Sequence, residues 1–467
     1  MNLRPIIASL SMAILGLASA VRAQGSGPDV IVGDLPAMAS YGSVEGISAF
    51  SLATTSCNQG TLPLNWFAGT NQHPVISGSL YRYRMVNGAG QFEQIGISQL
   101  KHGYFALSGT VCFTDCVGDP TGHTLGVHCS DPYGASTNGV QTNLGPRSDV
   151  NAFTGAFPYP FTNRAFSGPL ARRLQVADAD LLPTNNPGAI YLAEGHYVAP
   201  DDAAANNAAN NASYRRYTLG GTAGNYTFAP TSGFSTIRTR AAIFGWREID
   251  SAVTIVTSDV PGEGRFQLAY RVSPLENGLY HYEYCLHNLN SDRSGASFTI
   301  LYPQSGFQSC IQFQNVGFRD VAYDPTEPYD GTDWTFERGG ASAGWTMAAP
   351  FGQNPNGNAL RWGTSYTFRF DSPRPPTAGT VEIGLFRPGT PSSISALVMV
   401  PASCDCQDTD YNGDGNSDAN DVDTLLNDMA SGSRTSSLDP DYNQDGNLDM
   451  WDIDFLINLI AGGRCGG

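Results

Sequence analysis

The sequence predicts a mainly β protein: one or two antiparallel β-sandwich lobes followed by a small α-helical module at the C-terminus. Three observations predict it. Apolar residues alternate at period two, as in Tyr280, Tyr282, Tyr284 and in Tyr366, Phe368, Phe370, which is the pattern of a strand with one buried face. Gly 53 and Pro 29 of 467 residues punctuate those runs, and both residues end regular structure at turns. Only beyond Cys404 does the apolar period become that of a helix.

Residues 1–23 read as a secretory signal peptide, with Arg4, an apolar run from Ile6 to Leu17, and Val21-Arg22-Ala23 before a cut. The run is too short for a membrane anchor, and no later stretch approaches the roughly 18 apolar residues of a span. An exported chain without a membrane span is expected, secreted or held at the cell surface.

In the body, Tyr81, Tyr83 and Met85 alternate with Arg82 and Arg84, and Asn87-Gly88 then predicts a hairpin turn into Phe92–Ile97. Phe266, Leu268, Tyr270 and Val272 alternate in the same way, as do Val381, Ile383 and Leu385. The 378 residues from 24 to 401 are too many for one ordinary sandwich. Two lobes are therefore expected, 24–165 and 166–401, dividing at the Pro/Gly-rich Pro158–Gly168. The Ala/Asn-rich Asp201–Ser213 reads as a surface loop.

Nine cysteines in an exported chain point to disulfides. Two bridges are expected among Cys57, Cys112, Cys116 and Cys129, and one between Cys285 and Cys310. Another is expected from Cys404 or Cys406 to Cys465, clasping the ends of the C-terminal module.

The formal net charge is −17, and no basic patch or arginine-rich segment stands out, so nucleic acid is not an expected partner. From Cys404 onward there are 14 Asp and no Glu against Arg434 and Arg464, a net −12.

Several residues of the body have types suited to chemistry. His123, His128 and Cys129, with His73 or His102, have copper- or zinc-ligand types, against the blander reading of a disulfide-pinned loop. His281, Glu283 and Cys285 alternate on one strand face, the ordinary polar side of a strand. A glycosidase needs two facing carboxylates, and Asp178 with Asp180, Glu248 with Asp250, and Glu283 are the acids at suitable spacing. No nucleophile elbow, zinc-protease helix or P-loop is present, so no catalytic residue is assigned. Trp66, Trp246, Trp334 and Trp345 would either stack on sugars or fill cores.

The tail carries the strongest signal. Asp410, Asn412, Asp414, Asn416, Asp418 and Asp421 stand at positions 1, 3, 5, 7, 9 and 12 of a loop with Gly415 at position 6. The same pattern recurs 31 residues later as Asp441, Asn443, Asp445, Asn447, Asp449 and Asp452 around Gly446. Five side-chain oxygens and the position-7 carbonyl suit a hard cation with six to eight ligands at about 2.3–2.6 Å. Two calcium ions are expected. Val422, Leu425, Leu426 and Met429 form an apolar stripe after the first loop, and Ile453, Leu456, Ile457 and Ile460 after the second, so the two helices can bury each other.

This pair of loop-plus-helix repeats resembles the dockerin family, a variant EF-hand module of secreted bacterial proteins, over about 55 residues from Asp410 to Arg464. Both loops end in Asp where an EF-hand usually has Glu, and Ser417 replaces the usual aliphatic residue that Leu448 keeps. The first loop is therefore expected to be the softer. The resemblance implies calcium at these positions and docking to a cohesin-like or cell-surface protein through the helices and loop positions 10 and 11, here Ala419-Asn420 and Met450-Trp451. The stretches Tyr282–Arg293 and Asn358–Gly363 are also similar to secreted planctomycete-type bacterial proteins that often end in such loops. The functional expectation is a secreted calcium-binding protein whose β body (24–401) binds a glycan or protein and whose tail (404–467) anchors it. The alternative is a polysaccharide-degrading enzyme with an appended dockerin.

Overall fold

The computed structural model describes residues 26–164, 167–301, 311–339, 342–402, 408–443 and 445–461. The chain is mainly β, and every sheet in it is antiparallel. Among the described residues outside the tail the longest α-helix is Ile243–Ile249, in keeping with the lack of helical periodicity in the body's sequence.

The first lobe is a ten-stranded sheet. Eight of its strands run in the order Asn225–Pro230, Ala212–Thr222, Ile190–Val198, Val75–Val86, Ala89–Ile97, Leu174–Ala177, Ile47–Leu52, Met38–Val44, and Leu100–His102 and Leu144–Gly145 pair off that path. The sheet curls, so that Phe228 near one end meets Phe50 near the other with ring centroids 5.2 Å apart. A three-stranded sheet, Val30–Asp34, Thr54–Asn58 and Ser130–Tyr133, adds Val30 and Val32 to the same core. Asn87 and Gly88, with φ of +50° and +83°, make the predicted turn, since a primed hairpin turn needs two left-handed residues.

Strands from both sides of the expected division at 165/166 lie in this one sheet. The sheet changes instead between Pro230 and Thr254. The Pro/Gly-rich stretch is an excursion within the lobe, because the strands after it pair back onto those before it. Nor is Asp201–Ser213 merely a surface loop. Asp202 and Asn211 are buried, and Asp202 accepts from the Val30 amide at 2.9 Å and from Asn211 Nδ2 at 2.8 Å.

The second lobe is a β-sandwich of two five-stranded sheets. One holds Thr254–Val260, Gly264–Pro274, Tyr280–Asn288, Thr364–Ser372 and Gln314–Arg319. The other holds Thr335–Arg338, Ser342–Thr346, Gly295–Leu301, Pro376–Leu385 and Ser393–Pro401. The alternating aromatic residues fill the space between them: Tyr282, Tyr284, Tyr366, Phe368 and Phe370 are all fully buried. Trp334 and Trp345 pack in this core, and Trp66 and Trp246 are buried in the first lobe and at the junction. None of the four tryptophans is a free sugar platform, because each ring is enclosed by the elements around it.

The opposite face of that sandwich is polar, and it packs against the first lobe. Gln94 takes the Ser365 amide at 2.7 Å and donates to the Gly363 carbonyl at 3.2 Å. A loop of the second lobe reaches back as well: Asp324 accepts from the Arg172 amide at 2.5 Å, and Glu327 from the Arg147 amide at 2.6 Å. No helix among the described residues is long and apolar enough to cross a membrane.

Two of the expected disulfides form, Cys57–Cys112 and Cys116–Cys129. Cys285 does not pair as expected; it is a free, buried thiol. Its side chain belongs to the packing between the lobes, beside Tyr81, Phe92 and Trp246. Cys310, Cys404, Cys406 and Cys465 lie outside the described residues.

Candidate functional site

The tail folds as two loops, each leading into a helix, Ala419–Ser431 and Met450–Ile460. Each helix starts where a side chain satisfies its first amides. Asp418 and Asp449 are the N-caps, and Asp421 and Asp452 complete a capping box at the third helical position. Gly415 and Gly446, with φ of +89° and +85°, turn the loops in a region that other residues rarely enter.

The hydrogen bonds repeat position by position. Asp410 accepts from the amides of Asp414 at 2.9 Å and Gly415 at 2.8 Å. Asp441 accepts from Asp445 at 3.1 Å and Gly446 at 2.9 Å. Asn412 and Asn443 take the amides of Asp414 and Asp445, and those aspartates take the amides of Asn416 and Asn447. Asp421 bridges the amides of Asn412 and Asp418, just as Asp452 bridges those of Asn443 and Asp449. Asp421 and Asp452 are fully buried, and neither forms an ion pair among the described residues. Burial, followed by the carboxylates of Asp441 and Asp445, raises Asp452 to about 6.

The donor set is therefore all oxygen, acidic, and wrapped by a glycine turn, which is the chemistry a hard cation requires. Among the described residues no three His, Cys, Asp or Glu side chains converge to hold an ion. Asp410, Asp414 and Asp421 accept instead from backbone amides, and the carbonyls and asparagines of the loop make up the rest of the set.

The helix stripes differ in part from expectation. Leu425, Ile453 and Leu456 are buried, but Leu426 and Ile457 are exposed, and Phe455 and Leu459 take their places. Tyr411 and Tyr442, at position 2 of each loop, join that core with ring centroids 5.9 Å apart. Their recurrence at the repeat offset was the available sequence signal. Leu448 is exposed rather than packed, as are Met450 and Trp451 at 61% and 68%.

The body's candidate sites separate. Cys129 is in a disulfide, His128 pairs with Asp115 at 2.7 Å, and His123 stacks against Phe105. His73 and His102 bond each other at 2.9 Å, and burial pulls them down to about 4 and about 3. The disulfide-pinned loop is thus the reading that holds, and the copper or zinc alternative does not assemble, because the disulfide removes its thiolate. Of the carboxylates, Asp178 accepts from Ser43 and Ser48, Asp180 pairs with Arg82 and Arg319, and Asp250 with Arg271.

His281 and Glu283 are not on a solvated strand face. They lie in a buried ionic seam between the lobes. Glu283 bonds Arg369 at 2.9 Å, Arg369 reaches Glu93 at 2.7 Å, and Glu93 also meets Arg82. His281 bridges Asp371 at 2.6 Å and Glu283 at 3.2 Å. Burial would raise Glu93, but Arg319, Arg369 and Arg82 outweigh it and hold the carboxyl at about 2. Glu93 and Glu283 each have an arginine of opposite sign, the condition for burying them.

The chain matches no protein-family model and no curated protein. Among solved structures it matches a serine-rich repeat adhesion glycoprotein of Streptococcus agalactiae at 10% identity, over 75% of this chain and 88% of that one, with a TM-score of 0.20. An overlap that poor carries no argument about this chain.

Proposed function

We propose that this is an exported binding protein whose two-lobed β body recognises a glycan or protein and whose dockerin-like tail binds two calcium ions and anchors it. One observation carries the calcium reading: two loops repeat the same hydrogen bonds around buried carboxylates, Asp421 and Asp452, that meet no positive side chain among the described residues. Asp410, Asn412, Asp414, Asp418 and Asp421, with the Asn416 carbonyl, would hold the first ion. Asp441, Asn443, Asp445, Asp449 and Asp452, with the Asn447 carbonyl, would hold the second. A bound ion supplies the positive charge that the loops lack.

Two disulfides suit an oxidising, extracellular compartment. Exposed Met450 and Trp451 stand at the loop positions through which dockerins meet cohesins, and they favour a protein partner for the tail. In the body, four of the five acids at glycosidase-like spacing, Asp178, Asp180, Asp250 and Glu283, are engaged by serines, arginines and a histidine, which leaves Glu248 without a free second acid among them and favours binding over hydrolysis.

Calorimetric titration of the full chain with calcium tests the reading. Two bound equivalents and a melting temperature that climbs with calcium concentration are expected. No heat and no shift at millimolar calcium would overturn it.

A further inference from the structure

The body also has a cleft, away from the tail and the seam. It measures about 660 Å³ and opens where residues 239–248 face the strands Thr254–Val260 and Gly264–Pro274, a size usual for small-ligand sites. From this cleft we infer that the body binds an acidic sugar, an oxyanion carried on a hydroxylated ring, at the junction of the lobes. The inference rests on the reading of the body as a recognition module and names its site and ligand class.

Charge comes first. No Asp or Glu occurs from 203 to 247, and that stretch carries five arginines in a chain of net charge −17. No basic patch stands out in the sequence because the signal is the absence of acids rather than a dense run of cations. Arg240 and Arg247 line the cleft, are exposed, and form no ion pair among the described residues. Arg265 lies beside them, fixed by two bonds to Asp259 at 2.7 and 3.0 Å. Guanidinium forks select carboxylate and sulfate oxygens by geometry as well as charge.

The remaining groups narrow the ligand. Gln267 lines the cleft at 6% exposure, and its Oε1 has no hydrogen-bond partner. A buried acceptor left unmatched is costly, and a sugar hydroxyl would satisfy it. Glu248 adds a second acceptor, which a bare polyanion could not use. Phe244, half-buried and with the Arg240 guanidinium 5.8 Å from its ring centroid, places an aromatic surface beside that cation for the apolar face of a sugar. Thr239, also in the lining, is held at φ +61°, a strained conformation for a β-branched residue and one that gathers at binding sites.

The test uses the full chain on immobilised polygalacturonate, dextran sulfate and neutral dextran, with chelator present so that calcium cannot bridge protein to polymer. Retention on polygalacturonate, dextran sulfate or both, with none on dextran, is expected, and the pair tells a carboxylate from a sulfate preference. R240A/R247A should weaken that retention at least tenfold while leaving the melting temperature unchanged, since both arginines are exposed and neither carries an ion pair among the described residues. R240K/R247K, keeping charge without the fork, should fall between. Equal retention on dextran, no retention on either acidic polymer, or unchanged retention in R240A/R247A would overturn the inference. Glycan retention unaffected by R240A/R247A would leave a binding body with its site elsewhere. A calcium response without any glycan bound would sink this inference and spare the tail.

Discussion

The seam and the tail both bury carboxylates, and they neutralise them in opposite ways. Glu93 and Glu283 are sealed between the lobes against Arg82 and Arg369, so the body brings its own counter-charges. Asp421 and Asp452 are equally buried, but among the described residues backbone amides are what meet them. A dipole is a weaker counterpart than a full charge. The seam is complete as it stands, whereas the tail, on the proposed reading, takes its counter-charge from a cation outside. A buried carboxylate would then be a structural element in one region and a binding element in the other.

Breaking the seam should give the largest effect. Arg369→Ala leaves Glu93 and Glu283 each short of a cation, and removing one partner of a buried pair costs about 3–5 kcal/mol. Denaturant unfolding of the full chain checks it, with or without calcium. A loss below about 1 kcal/mol, the level of a surface pair, would show that the seam is solvated.

Asp452→Asn should act only when calcium is present. It removes a ligand charge while keeping the shape, so the second bound equivalent should vanish from the titration. The calcium-free protein should be unharmed or slightly stabilised, because the buried carboxyl is already raised to about 6. Equal destabilisation with and without calcium would make Asp452 a plain capping residue and erase the contrast with the seam.

Acidity separates the regions more finely. Asp452 is raised, so the calcium-free tail loses stability as pH rises from 3.8 through about 6. Calcium needs the carboxylate, so its affinity should fall as pH drops below about 6, by up to roughly tenfold per unit for one displaced proton. Within the seam Glu93 runs the other way, whereas His281 runs with the tail. Glu93 is held at about 2, so its contribution is complete above 4.5 and is lost as pH falls through about 2. His281 is raised above 6.5, because Glu283 and Asp371 outweigh its burial; its contribution is complete below 6.5 and is lost as pH climbs through the higher folded value. Calcium titrations and melting curves at pH 5 and 7.5 would show the tail and the body responding separately.

Much of the fold was legible. Strand faces such as Tyr282–Tyr284 and Phe368–Phe370 read correctly because period two maps directly onto a pleated sheet. The Asn87-Gly88 turn read correctly because left-handed φ values favour few residues. Arg82 misled, since its alternation with tyrosines suggested a solvated face while a second layer covers it. The division of the lobes was misplaced because strand pairing across 165/166 is a long-range choice, and local Pro and Gly content does not encode it.

By itself the sequence determined the β class, the turn chemistry and the twin loops with their regularly spaced aspartates. Each of these depends on residues within a dozen positions of one another, where backbone geometry links spacing to shape. Only the tertiary structure decided that Cys285 stays a thiol, that His281 and Glu283 belong to a sealed seam, and that Arg240, Arg247 and Gln267 share a cleft. Those outcomes rest on contacts between distant strands, and burial and charge pairing exist only after the sheets have packed.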